Sequence, residues 1–210
     1  MQLNVIFEII ILIFSVIIHE ISHGFMALYF GDKTAQYEGR LTLNPLKHLD
    51  WFGSVILPLG LYLTGTGIMF GWAKPVPYNP YNLRNRNIAE PLVALAGPAS
   101  NIFVAIIFGL LIRGMAYFGL VSSVAMAGLL NIFAFVVLIN VSLAIFNLIP
   151  VPPLDGSKIF FAFLPPAAKY KFFSISEKYG LIILLLIILF LPNFISPVIH
   201  SVFSLITGIN

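Results

Sequence analysis

Residues 18–23 read Ile-His19-Glu20-Ile-Ser-His23, a His-Glu-x-x-His pattern. Residues four apart on a helix share a face, so both imidazoles can reach one metal ion while Glu20 stands beside the first. Zinc lowers the pKa of a water that it binds to around 7, and the Glu20 carboxylate can take the proton released. The spacing suits metal-assisted hydrolysis, with Glu20 as general base. Coincidence is the competing explanation, and the surroundings argue against it. The run from about residue 3 to 30 is apolar and long enough to cross a hydrocarbon core, which takes about 20 residues. His19 lies about 11 residues before its end, or about 16 Å at 1.5 Å per residue. The motif therefore sits at membrane depth, where ionisable groups are costly and mark functional sites.

Two histidines leave zinc short of a third protein ligand. The candidates are Asp32, Glu38, His48, Asp50, Glu90, Asp155, Glu177 and His200. Asp155 is the best of them. It follows an apolar span and closes the run Asn147-Leu-Ile-Pro150-Val-Pro-Pro-Leu154-Asp155-Gly156. Those prolines prevent regular helix, so the carboxylate can turn into a bundle. Its alternative role is to cap a helix running from Ser157 onward. His48, beside Lys47, reads as a histidine on a loop face, with a regulatory or metal role as the alternative. Glu8 is expected near the outer headgroups, Glu90 at a helix start, His200 at an interface, and Gly97-Pro98 as a bend that starts a helix.

The elements that must position these residues belong to a membrane protein. The 210 residues are 60% hydrophobic and 9% charged, against about 25% charged in soluble domains. Mean hydropathy is +1.01. The first apolar run has no Lys or Arg ahead of it, which argues against a cleaved signal peptide. The absence of cysteine excludes disulfides and thiolate metal sites. A net charge of +3 would suggest nucleic acid only if the basic residues formed a soluble face. They lie instead in short loops between apolar runs, so no nucleic-acid partner is expected.

The reading is one domain, 1–210, an all-α polytopic transmembrane helix bundle. Spans are expected at about 3–30, 89–118, 124–147 and 178–191, with an interfacial helix at about 194–208. Thr34–Leu43 alternates as a short strand pair would. Residues 51–72 are apolar but broken by Pro58, Gly60, Gly65, Gly67 and Gly71, as expected of a small re-entrant element returning as a β-hairpin. A full span is the alternative, and charge argues against it. With 51–72 re-entrant, Lys33, Arg40, Lys47, Lys74, Arg84, Arg86, Lys158, Lys169, Lys171 and Lys178 share one side, and only Arg113 faces the other. That bias marks a cytoplasmic face.

At these residues the chain resembles the site-2 proteases, peptidase family M50, which are polytopic intramembrane zinc metallopeptidases. His19-Glu20-x-x-His23 matches their zinc motif. Asn147-x-x-Pro150-x-x-x-Leu154-Asp155-Gly156 matches their second motif, and Gly97-Pro98-Ala99-Ser100-Asn101 a third, Gly-Pro-x-x-Asn. The resemblance implies Zn2+ bound by His19, His23 and Asp155, Glu20 as general base, and Asn147 contacting substrate or the oxyanion. It also implies a multi-pass location in the plasma membrane of a prokaryote. No insertion of a peptide-binding domain fits between 118 and 124, so a minimal version of the fold is expected.

The function read from all this is cleavage of transmembrane segments of membrane protein substrates near the cytoplasmic face, within the lipid bilayer. Two readings from other classes compete. A membrane metal transporter could use the same ligands, but it has no need of a glutamate placed as a base, and no paired repeats are visible. An inactive homologue acting as a binding protein would not need Glu20 together with all three ligands.

Overall fold

Hydrocarbon offers the backbone no hydrogen-bond partners, and a helix satisfies its own within one segment. The computed structural model describes residues 2–50, 74–120, 123–165 and 192–209, with scattered positions in 51–73 and 166–191. Its helices are α1 (Gln2–Tyr29), α2 (Thr34–Tyr37), α3 (Arg86–Tyr117), α4 (Val124–Asn147), α5 (Asp155–Ala162) and α6 (Pro192–Thr207). There is no strand among the described residues. Among the described residues, three helices are long and apolar enough to cross a membrane: residues Ile6–Tyr29 of α1, α3 and α4. They match the expected spans to within a few residues. The expected span at 178–191 and the re-entrant hairpin at 51–72 fall on segments that lie, but for those scattered positions, outside the described residues.

Helix α3 is the hub, packing on α1, α4, α5 and α6. Small buried residues on it, including Ala89, Ala94, Gly97, Ala105 and Gly109, let neighbouring backbones approach. One apolar cluster joins Ala27 of α1 to Ala89 and Val93 of α3, with Leu83 from the preceding turn. A second joins Ala105 and Ile112 of α3 to Val137 and Val141 of α4, and Ile199, Val202, Phe203 and Ile206 of α6 pack against it. The helix expected at 194–208 is therefore present as α6 and turns an apolar face to the bundle. Side chains such as Phe103, Leu110 and Val124 point outward, as lipid-facing residues do.

The strand pair expected over 34–43 is absent. Helix α1 ends in a Schellman turn, with Gly31 N–H on Leu28 O at 2.9 Å and Asp32 N–H on Ala27 O at 2.9 Å. Asp32 Oδ1 then accepts from Thr34 N–H at 3.1 Å and Thr34 Oγ1 at 2.6 Å, a local turn just ahead of α2. Gly39, at φ 61°, ends α2 in a second turn of the same kind, with Arg40 N–H on Ala35 O at 2.9 Å. The start and stop signals were both present in the sequence, and the alternating side chains obscured them.

Residues 74–84 run back along α1 as a strap. Lys74 N–H donates to His48 O at 2.9 Å and Asn79 N–H to Asp32 Oδ2 at 2.6 Å. Arg84 N–H donates to Phe30 O at 2.8 Å. Pro75 and Pro77 keep its first part out of regular structure, Pro80 opens a short 3-10 helix, Pro80–Asn82, and all three fix φ.

Candidate metal centre

Position, charge and burial bring three expected ligands together. His19 and His23 lie one turn apart on α1, and Asp155 opens α5. All three are buried, at 5%, 8% and 8% exposure. His19 Nε2, His23 Nε2 and Asp155 Oδ2 form a triangle with sides of 3.1, 3.1 and 3.1 Å. Nitrogen and oxygen ligands at 2.0–2.1 Å from a tetrahedral zinc stand about 3.3 Å apart. The donor set and its spacing fit zinc.

The opposite ring nitrogens are also occupied. His19 Nδ1 lies 2.6 Å from Asn101 Oδ1, and His23 Nδ1 lies 2.6 Å from Val93 O. Both acceptors require a proton on Nδ1, which leaves the Nε2 lone pairs turned to the triangle. Asn101 is held in turn by a fully paired buried network. Its Nδ2 donates to Asn140 Oδ1 at 2.8 Å and to Ser15 O at 3.3 Å. Asn140 Nδ2 donates to Ser15 Oγ at 2.9 Å and Val136 O at 2.9 Å. One amide pair thus ties α1, α3 and α4 together and sets the tautomer of His19.

Gly97 lies directly under the imidazoles. A Cβ there would overlap His23 Nε2 and stand 2.6 Å from His19 Nε2. Gly97-Pro98 was expected to bend a helix start, but α3 begins at Arg86 and both residues lie within it. Gly97 instead supplies the clearance that the histidines need. Asp155 is the first residue of α5 and makes no capping bond, so its oxygens remain for the histidines. Lys158 Nζ sits 3.9 Å from Asp155 Oδ1 and 5.4 Å from the centre of the Tyr78 ring, linking α5 to the strap.

Glu20 is half-buried, and its Oε2 accepts from Val76 N–H of the strap at 2.8 Å. Asn147, in the last turn of α4, donates Nδ2 to Leu143 O of its own helix at 3.0 Å. His48 is buried rather than on a loop face. It is 2% exposed, with Nε2 2.8 Å from Thr42 O. Glu90 pairs with Arg86 at 3.1 Å, and His200 is exposed on α6. Asn101 was legible only as part of Gly-Pro-x-x-Asn. Asn140 was not singled out, because a lone amide in an apolar run has no spacing to announce it.

Comparison with known proteins agrees with the geometry. A family model described as peptidase family M50 matches residues 111–191. YwhC of Bacillus subtilis (strain 168), which carries a provisional zinc metalloprotease name, is 40% identical over 190 residues, 90% of this chain and 80% of its own length. Rip2 of Mycolicibacterium smegmatis, named in the same way, is 36% identical over 143 residues, 68% of this chain and 51% of its own length. Rip2 of Mycobacterium tuberculosis (strain H37Rv) is 29% identical over 175 residues, covering 83% of this chain and 63% of that protein. No solved structure matches. With a three-ligand zinc-type centre and a bacterial relative of this identity and coverage, the chain belongs to the site-2 protease family of zinc metalloproteases, peptidase family M50.

Proposed function

We propose that this protein is an intramembrane endopeptidase that cuts transmembrane segments of membrane proteins near the cytoplasmic face. The observation that carries the reading is the His19–His23–Asp155 triangle, with both histidines and the adjoining Glu20 on a helix long and apolar enough to cross the bilayer. His19, His23 and Asp155 would hold the zinc, which supplies a polarised scissile carbonyl and a water acidified to near neutrality. Glu20 takes the proton of the attacking water and passes it to the leaving amine. The Val76 N–H on Oε2 fixes the carboxylate's direction, and Oε1 is the oxygen assigned to proton transfer. Burial of the ligands keeps bulk water from the centre and strengthens its electrostatics.

A helical peptide bond is shielded by its own hydrogen bonds, so the substrate must be unwound and held extended. Residues 34–37 are helical and offer no edge for this. The other edge read from the sequence, 64–72, lies outside the described residues, and Asn147 is placed toward the substrate or the oxyanion. The chain is taken as one domain in the plasma membrane of a prokaryote, crossing it several times.

Glu20→Gln tests the mechanism, because it keeps size and polarity while removing the base. The purified variant should retain zinc, behave as wild type in detergent, and cut a transmembrane reporter at least about 10²–10⁴-fold more slowly. Turnover within a few-fold of wild type would make Glu20 structural and end the hydrolytic reading.

A further inference from the structure

We propose that Arg40 is a positioning residue for Glu20, acting through the strap at Lys74–Val76; the proposal rests on the endopeptidase reading above. Arg40 is 6% exposed, and the turn that ends α2 delivers it there. Its guanidinium binds backbone carbonyls of two segments. Nη1 donates to Lys47 O, and Nη2 donates to Lys74 O at 2.8 Å and Pro75 O at 3.1 Å. The next residue in the strap is Val76, whose N–H donates to Glu20 Oε2.

The chemistry of the strap makes this a stiff connection. Pro75 and Pro77 flank Val76 and lock their own φ angles. A guanidinium is a rigid planar fork that stays charged, and with Nη1 on Lys47 O and Nη2 on Lys74 O and Pro75 O it clamps the strap to the 45–48 turn. Lys74 N–H on His48 O closes the same junction from the other side. The position of Val76 N–H against Glu20 is thereby set by a residue remote in sequence from the metal motif. Removing the fork frees the strap near Lys74, while Asn79 stays tied to Asp32. Val76 is the part released, and the Glu20 carboxylate loses its fixed direction.

Neither proline carries an N–H, so Val76 is the one amide in 75–77 and reports its own exchange. The full chain, loaded with zinc in detergent, is compared with Arg40→Ala and Arg40→Lys. The probe is a single-span reporter helix of about 20 apolar residues with a fluorophore at its cytoplasmic end. Arg40→Ala should keep one zinc per chain and exchange the Val76 amide at least ten-fold faster, with Asn79 unchanged. Its kcat should fall about ten- to a hundred-fold, as expected for a misplaced catalytic group, with KM within two-fold. Arg40→Lys retains a cation without the fork and should recover part of the kcat, and it carries the test if Arg40→Ala does not fold. Wild-type exchange at Val76, or faster exchange with wild-type kcat, overturns the role of Arg40 alone. If Glu20→Gln cuts the reporter as fast as wild type, the endopeptidase reading falls and takes this role with it.

Discussion

Gly97 decides how close α3 comes to the two imidazoles, because it has no side chain to meet them. Gly97→Ala would improve helix propensity by about 1 kcal/mol. The added methyl must nonetheless displace His23 and His19, since it would stand 2.6 Å from His19 Nε2. Overpacking costs about 1–3 kcal/mol, so the expected outcome is a chain that melts no higher than wild type and binds zinc at least about ten-fold more weakly. Zinc titration beside thermal unfolding measures both, and unchanged affinity would show that the histidines give way without cost. The three residues that meet in the fold, His19, His23 and Asp155, stood out in the sequence because charged and imidazole groups are rare in apolar runs. Neutral supports such as Asn140 did not, because an amide in a span has partners that only the three-dimensional packing reveals.

At the level of elements, the long helices were readable from length and apolarity, and their ends from signals such as Gly31-Asp32. The connection after α1 was misread because four residues of α2 are too few for helical periodicity to show against an alternating pattern. Asp32 resolves that region physically. It is 1% exposed and accepts hydrogen bonds from Thr34, Asn79 and Asn82, tying α1, α2 and the strap together. Burial pushes its pKa up, but the hydrogen bonds from Thr34 and Asn82, with the backbone N–H groups of Asn79 and Thr34, outweigh it and hold the carboxyl below its ordinary value. A depressed folded pKa contributes stability that is present above the unfolded pKa of about 3.9. It is lost as pH falls through the lower folded value. Wild type should therefore lose melting temperature below about pH 4. Asp32→Asn should be destabilised at pH 7 by about 1–3 kcal/mol and show a flatter acid limb. Parallel acid limbs for the two proteins would remove Asp32 from this role.

For the whole molecule, the question is on which side of the membrane each loop lies. The basic residues favour one face for 31–50, 73–87 and 156–177. The hydrogen bonds add a geometric constraint: the chain is at His48 before the 51–73 segment and at Lys74 after it, and these two are joined at 2.9 Å. A hydrocarbon core is about 30 Å thick, so a single crossing would separate the two ends by roughly that distance. Both ends of 51–73 therefore lie together, and the segment between them is outside the described residues. The prediction is that single cysteines replacing Lys47, Arg84 and Lys169, all exposed, are labelled by a membrane-impermeant reagent from the cytoplasmic side alone. The chain has no cysteine of its own, so each label reports one site. Labelling of Lys47→Cys and Arg84→Cys from opposite sides would make 51–72 a true span. It would also break the Lys74–His48 junction on which the strap depends, so the same measurement tests the route by which Val76 reaches Glu20.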